Sequence, residues 1–174
     1  MTTDMVMELL IGCGSNKTKK LHKPGQENWN NLITLDNNKD HKPDVLWDLN
    51  EFPYPFEDNT FDEIHAYEVL EHTGRQGDYK FFFEQFSEFW RILKPNGTFI
   101  ATCPSRHSPW AWGDPSHTRV LQKEHLIFLQ QAQYNEQIGK SPMSDFRDIY
   151  KADFKVTHEI ENNMDFHFAL EAIK

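Results

Sequence analysis

The stretch Met5-Val-Met-Glu-Leu-Leu-Ile-Gly-Cys-Gly14 decides the fold of this chain. It is an apolar run broken only by Glu8, and it ends abruptly in Gly12-Cys13-Gly14. A continuous apolar run is typical of a parallel strand that is buried on both faces. Glycines directly after such a strand allow a sharp turn and let a ligand approach the backbone closely. The stretch therefore predicts a parallel sheet with a ligand at the end of its first strand.

Further strands and one long helix follow along the chain. Strands are predicted at 31–35, 44–47, 61–66 and 98–103, and helices at 79–93 and 123–133. The first helix has aromatic residues at helical spacing and Asp78 as its expected N-cap. Two alternating runs, 154–160 and 164–170, flank Glu161-Asn162-Asn163, which predicts a terminal β-hairpin.

These elements predict an α/β fold in one domain over residues 1–174. We expect a doubly wound, mostly parallel sheet of seven strands that ends in an antiparallel hairpin. A parallel crossover with a helix needs about a dozen residues or more. The segment 14–31 contains Pro24-Gly25, and the segment 36–44 is shorter still. We therefore expect the first two crossovers to be shortened or irregular.

Composition narrows the class of protein. The 174 residues carry a formal net charge of −9, which does not favour nucleic acid as a partner. The early cluster Lys17, Lys19, Lys20 and Lys23 is expected to be a solvated loop. Two cysteines outside any CxxC pair predict neither a disulfide framework nor a zinc site. Without a secretory pattern or a long apolar run, we expect a cytoplasmic protein with no membrane segment.

Acidic residues end the second and third predicted strands. Asp36 follows the glycine turn by about 20 residues, where a carboxylate can accept hydrogen bonds from both hydroxyls of a ribose. Asp48 ends the next strand and can accept from the exocyclic amine of an adenine. Ligands of open parallel sheets bind at the carboxyl ends of the strands. The glycine turn, Asp36 and Asp48 therefore predict a nucleoside site.

The same motifs resemble a known family. The series 8–14 (ELLIGCG), 35–36 (LD), 44–49 (DVLWDL), 61–72 (FDEIHAYEVLEH) and 93–97 (LKPNG) resembles class I, Rossmann-like, S-adenosylmethionine-dependent methyltransferases. It is most similar to small methyltransferase-domain proteins with Val-Leu-Glu-His after the fourth strand. The motifs run from Glu8 to Cys103, and the family ends in the same antiparallel pair. The resemblance implies methyl transfer from S-adenosylmethionine to an acceptor that is small or exposed and polar.

The resemblance also implies roles for individual residues. Those expected to contact the cofactor are Gly12, Cys13, Gly14, Asp36, Asp48, Leu49 and Glu68. Glu71 and His72 would lie just beyond the fourth strand, near the sulfonium and the acceptor. His72 is a candidate general base, because the pKa of an imidazole lies near neutrality.

The loop 103–119 is the second candidate region, since a long loop rich in Trp, Pro, His and Arg is typical of a functional site. We interpret it as the wall that faces the acceptor. His117 is a second candidate catalytic residue. The candidate substrate contacts are Glu71, Arg106, Trp110, Trp112, Asp114 and Arg119. A metal held by Cys103, His107 and His117 is not expected, because their spacing matches no zinc pattern.

Two departures from the family pattern keep other functions open. Leu10 stands where relatives usually carry an acid, and Asn16 replaces the third glycine of GxGxG. Asn tolerates left-handed backbone, so we expect the turn to survive. A scaffold with little or no catalysis is one alternative. An NAD(P)-dependent oxidoreductase is another, although the third glycine of GxGxxG would be Lys17 and no Tyr-x-x-x-Lys pair is present.

Overall fold

A computed structural model describes residues 5–174 of the chain. Its strands are β1 (Met7–Ile11), β2 (Asn31–Asp36), β3 (Val45–Leu46), β4 (Phe61–Tyr67), β5 (Leu93–Pro104), β6 (Phe154–Glu161) and β7 (Asp165–Ala172). Its α-helices are α1 (Tyr79–Ile92), α2 (Pro109–Gly113), α3 (Lys123–Ile127) and α4 (Gln131–Gln137). None of the helices within residues 5–174 is long and apolar enough to cross a membrane.

All seven strands form one sheet in the order β3-β2-β1-β4-β5-β7-β6. The first five run parallel, and β7 pairs antiparallel with both β5 and β6. This confirms the predicted mixed sheet and its terminal hairpin. The crossover from β1 to β2 contains no helix, and that from β2 to β3 contains only the 3-10 turn Lys39–His41. The expected shortening of the first two crossovers is confirmed.

Helix α1 covers one face of the sheet with aromatic side chains. The Asp78 side chain accepts a hydrogen bond from the Phe81 N–H, as expected of its N-cap. Phe83, Phe86 and Phe89 are buried on this helix, and the Phe89 ring stacks on Phe99 of β5 at 4.5 Å between centroids. The main hydrophobic core therefore lies between α1 and the sheet, as the helical spacing predicts.

The predicted single helix over 123–133 is wrong, because the chain breaks between α3 and α4. The Leu129 carbonyl accepts from the Phe154 N–H at 3.0 Å and from the Tyr150 hydroxyl at 3.1 Å. The Gln131 N–H donates to Asp153 Oδ1 at 2.8 Å. These contacts with the segment leading into β6 take the place of helical hydrogen bonds at the break. They join residues distant in sequence, which local periodicity does not reveal.

The opposite face of the sheet is covered by the irregular segment 12–30. Leu10, Cys13 and Tyr67 form a small buried cluster there. Lys19 is also buried, and its ammonium lies 3.3 Å from Glu63 Oε2 and contacts the Glu8 carboxylate. The expectation that all four early lysines are solvated is therefore wrong for Lys19. An ion pair with buried Glu8 anchors the segment where a crossover helix is missing.

Candidate functional site

The carboxyl ends of β1, β2 and β3 border one cleft of about 620 Å³, including its open mouth. Gly12, Asp36 and Asp48 all line it, as do Gly14 and Leu49. These strand ends lie side by side because the three strands are neighbours in the sheet. We call this cleft the nucleoside cleft. The structure thus brings together five of the residues that the sequence predicts for the cofactor.

Two glycines shape the floor of the nucleoside cleft. Gly12 and Gly14 have φ of 57° and 56°, which is left-handed backbone that disfavours other residues. A Cβ on Gly12 would lie 2.2 Å from Val69 Cγ2, whereas a Cβ on Gly14 would meet no atom within 4 Å. Gly12 therefore lets the loop after β4 approach β1. Gly14 leaves open the space that a ligand in the cleft needs.

Asp36 is held by the backbone around it. Its Oδ2 accepts from the Gly14 N–H at 2.9 Å, and its Oδ1 accepts from the Asn38 N–H at 2.8 Å. Burial opposes its charge, but these two N–H groups and the His41 ring outweigh burial and lower the pKa of the carboxyl. A carboxylate has about four acceptor sites. Asp36 thus stays ionised and retains capacity for the hydroxyls of a ribose.

Several other residues of the nucleoside cleft were missed by the sequence reasoning. They are Leu35, Asn37, His41, Trp47, Asn50, Val69 and Thr73. Trp47 directly precedes Asp48, so an aromatic residue beside the predicted adenine position was a usable signal. His41 lies on the 3-10 turn with Nδ1 at 3.1 Å from Asp36 Oδ2. Nothing in its local sequence indicates that proximity, which the fold of the short crossover creates.

Cys13 and Asn16 differ from their expected roles. Cys13 is buried against Leu10 and Tyr67 on the opposite face, and it does not line the nucleoside cleft. Burial, followed by the nearby Asp36 charge, raises the pKa of its thiol. The turn survives, with left-handed backbone at Gly12 and Gly14, but Asn16 does not use the left-handed conformation that it tolerates. Its Oδ1 instead accepts from the Thr18 N–H at 3.0 Å, so a side-chain turn takes over at this position.

A second cavity of about 570 Å³ lies beyond the end of β4. It is lined by residues after the β4 end, by residues of the loop 103–119, and by Met164 and Asp165 at the β6–β7 turn. We call it the acceptor cavity. Predicted site residues on its wall are Glu68, Glu71, His72, Trp110, Asp114 and His117. His72 also lines the nucleoside cleft, so the two spaces meet at its side chain. Glu68 is predicted to contact the cofactor, but it lines the acceptor cavity and not the nucleoside cleft.

Glu71 is the unusual group of the acceptor cavity. The residue is 2% exposed, and neither carboxyl oxygen has a hydrogen-bond partner among residues 5–174. Burial, reinforced by the adjacent Glu68 carboxylate, raises its pKa to about 8. Buried polar groups are almost always paired, so an unpaired carboxyl facing a cavity indicates a missing partner. The side chain can accept a proton, a donor group or a cation from that cavity.

Two imidazoles face each other beside Glu71. The rings of His72 and His117 meet edge to face, with centroids 4.7 Å apart. The Nδ1 of His117 lies 2.9 Å from the Trp110 carbonyl oxygen, which can only accept. Nδ1 therefore carries the hydrogen, and Nε2 of the neutral ring has a free lone pair. That nitrogen can act as a base or as a ligand.

Three predicted substrate contacts do not line the acceptor cavity. Arg106 pairs with Glu124 at 2.9 Å, and Trp112 donates from Nε1 to the Arg106 carbonyl at 3.2 Å. Arg119 is 7% exposed and lies beneath the turn that follows β4. All three were predicted as substrate contacts from the composition of the loop alone. Packing of the loop decides which of its side chains face the cavity.

Arg119 fastens the segment that carries Glu71 and His72. Its Nε donates to the Leu70 carbonyl at 2.9 Å, and its Nη2 donates to Thr73 Oγ1 at 2.8 Å and to Gln85. Burial lowers the pKa of the guanidinium to about 10, so it stays charged at neutral pH. These bonds join the loop 103–119, the turn 70–72 and helix α1. Arg119 therefore supports the turn between the two cavities, and it lines a separate cavity of about 630 Å³ with Gln76 and Tyr79.

Comparison with known proteins found a family model and solved structures that are similar to this chain. A family model described as "Methyltransferase domain" matches residues 9–101. A search of curated protein sequences found no significant match. Similar solved structures include a SAM-dependent methyltransferase from Archaeoglobus fulgidus, at 18% identity and TM-score 0.59, covering 97% of this chain and 86% of that one. The N-methyltransferase NodS of Bradyrhizobium japonicum gives 13% and 0.58, with 98% and 87% covered. NodS has also been solved with S-adenosyl-L-homocysteine, at 12% identity and TM-score 0.56, with 98% and 79% covered.

Proposed function

This chain belongs to the methyltransferase-domain family, and we propose that it transfers a methyl group from S-adenosylmethionine to a small or exposed polar acceptor. Membership confirms the resemblance to class I S-adenosylmethionine-dependent methyltransferases that the motifs carry. The proposed activity on such an acceptor is supported by the nucleoside cleft and the acceptor cavity together. The single observation that supports it most is their meeting at His72.

The nucleoside cleft has the features that a nucleoside cofactor requires. Asp36 offers an ionised carboxylate at the position for ribose hydroxyls, and Trp47 offers an aromatic surface beside Asp48. Gly14 lines the cleft, and a Cβ added there would meet no atom within 4 Å, so the space beside it is open. Leu10, where an acid is usual, packs in the small cluster on the opposite face. Cofactor recognition is therefore assigned to Asp36, the glycine turn and the Asp48 region without that acid.

The bound cofactor supplies an electrophilic methyl group, so the protein has to align an acceptor behind it. Positioning of this kind contributes roughly 7–11 kcal/mol to catalysis. The acceptor cavity opens at His72, next to the nucleoside cleft, and Trp110 forms part of its wall. His72 and His117 are the imidazoles able to take a proton from the acceptor, which adds roughly 10²–10⁴-fold in rate.

The expected cytoplasmic location stays a prediction.

Calorimetry with S-adenosyl-L-homocysteine is the first test. We expect micromolar binding to the purified chain, and at least tenfold weaker binding to the Asp36→Ala variant. Absence of binding at millimolar concentration would contradict the proposal and favour the scaffold alternative. Tighter binding of NAD(H) than of S-adenosyl-L-homocysteine would favour the oxidoreductase. A mass-spectrometric screen of candidate acceptors with isotopically labelled methyl donor then identifies the acceptor.

A further inference from the structure

We propose that Glu71, His72 and His117 form a binding site for a divalent first-row metal cation on the wall of the acceptor cavity. One carboxylate oxygen and two imidazole nitrogens of these residues lie within 4.8 Å of one another. His72 Nε2 is 4.0 Å from Glu71 Oε1. Ligand atoms on one such ion are about 3–4 Å apart, given metal–ligand bonds of about 2.0–2.2 Å. Inward shifts of less than about 1 Å therefore close the site.

The buried carboxyl of Glu71 is the independent observation that points to a ligand. It lies beside the Glu68 carboxyl, and a cation that binds it would displace its proton. The two oxygens of Glu71 are buried at the cavity wall and have no hydrogen-bond partner among the described residues. Two buried carboxyl oxygens without a donor cost free energy, which a cation in contact with the deprotonated group would recover. Glu68 and Asp114 line the same cavity, and Asp114 Oδ2 lies 3.8 Å from His117 Nε2. The surroundings are thus acidic, which favours a cation further.

His117 is oriented as metal-binding histidines usually are. A ligating imidazole commonly donates its other N–H to a backbone carbonyl, which sets the tautomer. His117 Nδ1 does so to Trp110 at 2.9 Å, and Nε2 is left as the ligand atom. The Thr118 N–H donates to the Glu71 carbonyl at 2.9 Å. The backbone of Glu71 is therefore hydrogen-bonded to the residue that follows His117. The segments that carry these two ligands are held together before any ion binds.

A second cluster of the same residue types shows the contrast. Glu8, Glu63 and His65 also bring their ligand atoms together, on the opposite face of the sheet. There the Lys19 ammonium contacts both carboxylates, and His65 contacts Glu63 at 2.8 Å. A lysine side chain thus supplies the cation that this cluster needs. Among the ion pairs of residues 5–174, Glu71 pairs with His72 at 4.0 Å and with no lysine or arginine, although the Arg119 charge also acts on it.

Three protein ligands leave coordination positions open toward the cavity. An acceptor with an oxygen donor can occupy one of them, which would orient that oxygen toward the nucleoside cleft at His72. This part of the inference rests on the proposed methyl transfer, and it names the acceptor class as an oxygen ligand of the cation. In the metal-loaded protein His72 and His117 would act as ligands, and the cation would make the bound acceptor oxygen more acidic, so that its proton is lost to solvent. The oxygen would then take the methyl group, and S-adenosylhomocysteine would leave.

Titration of the tag-free, EDTA-dialysed protein with CoCl₂, MnCl₂, ZnCl₂ and MgCl₂ tests the site. We expect one equivalent of Co²⁺ to bind with a visible absorption band, and affinity to rise from Mn²⁺ through Co²⁺ to Zn²⁺ with Mg²⁺ weakest. Glu71→Gln and His117→Ala should each weaken Co²⁺ binding at least tenfold. His107→Ala, an exposed histidine of the same loop outside the cavity, is the matched control and should bind as the parent does.

Two results would overturn the inference. One is no stoichiometric binding of any of the four ions, and the other is equal binding by the parent and by both ligand variants. Thermal unfolding and S-adenosyl-L-homocysteine affinity, both measured in EDTA, show that the variants fold. Cofactor binding without metal binding would refute the metal site alone. Metal binding without cofactor binding would refute the proposed methyl transfer alone.

Discussion

The nucleoside cleft and the acceptor cavity share the side chain of His72 but are built in opposite ways. The nucleoside cleft lies on the ends of three adjacent strands, and one of its two acids, Asp36, accepts hydrogen bonds from two backbone N–H groups. The acceptor cavity joins three segments distant in sequence, and one of its acids, Glu71, is buried without a hydrogen-bond donor among residues 5–174. A cleft whose polar groups are already oriented suits a cofactor common to a family. A cavity with an unsatisfied acid suits recognition of a particular ligand.

The largest expected effect comes from Arg119, which supports both spaces. Arg119→Ala removes the buried side-chain donor of the Leu70 carbonyl and one donor each of Thr73 and Gln85, so the free energy of unfolding should fall by about 2–4 kcal/mol. Chemical denaturation measures this. Arg106→Ala is the control, because its ion pair with Glu124 is partly exposed and is worth less than about 1 kcal/mol. Equal losses in the two variants would show that Arg119 is no special support.

Gly12→Ala should damage the nucleoside cleft next most strongly. Its Cβ would collide with Val69 and its backbone is left-handed, so the loop after β4 must move away from β1. We expect S-adenosyl-L-homocysteine affinity to fall about 100-fold, or about 2.7 kcal/mol. Gly139→Ala controls for strain alone, since φ is 82° and no atom lies within 4 Å of the added Cβ. Retained affinity in Gly12→Ala would remove the glycine turn from the binding site.

Asp36→Ala should weaken the same cofactor at least tenfold, or about 1.4 kcal/mol, with the fold intact. The variant loses the expected ribose contact and also the acceptor for the Gly14 N–H. Asp36→Asn retains one oxygen acceptor and should lie between the parent and Asp36→Ala. Calorimetry on the three proteins checks the order. Unchanged affinity in Asp36→Ala would place the ribose elsewhere.

The smallest effect separates two neighbouring tryptophans. Trp110 is 62% exposed and lines the acceptor cavity, whereas Trp112 is 69% exposed and does not. Once an acceptor is identified, Trp110→Ala should raise its KM about three- to tenfold, because an apolar contact of this kind is worth roughly 1 kcal/mol. Trp112→Ala should leave KM within twofold. Both variants should keep the parent's cofactor affinity, and a larger effect from Trp112 would reverse the assignment of the loop faces.

The two cavities also differ in how far the sequence predicts their lining residues. Gly12, Asp36 and Asp48 could be placed together because a strand end is a local feature and parallel neighbours align their carboxyl ends. In the loop 103–119, Trp110, Asp114 and His117 line the cavity, but Arg106, Trp112 and Arg119 do not. An irregular loop has no period, so the sequence indicates its composition without indicating which side chains face inward. The same limit explains buried Lys19 and the break between α3 and α4.

The sequence by itself determined the parallel sheet, its terminal hairpin, the glycine turn and the family, because these depend on strand-length patterns and on residues next to strand ends. Tertiary structure alone decided that Glu71 is buried without a partner, that His117 meets His72, and that Arg119 supports the turn beneath them. The physical reason is distance along the chain. Burial and ionic pairing depend on which remote segments pack together, and that is settled only when the whole chain folds.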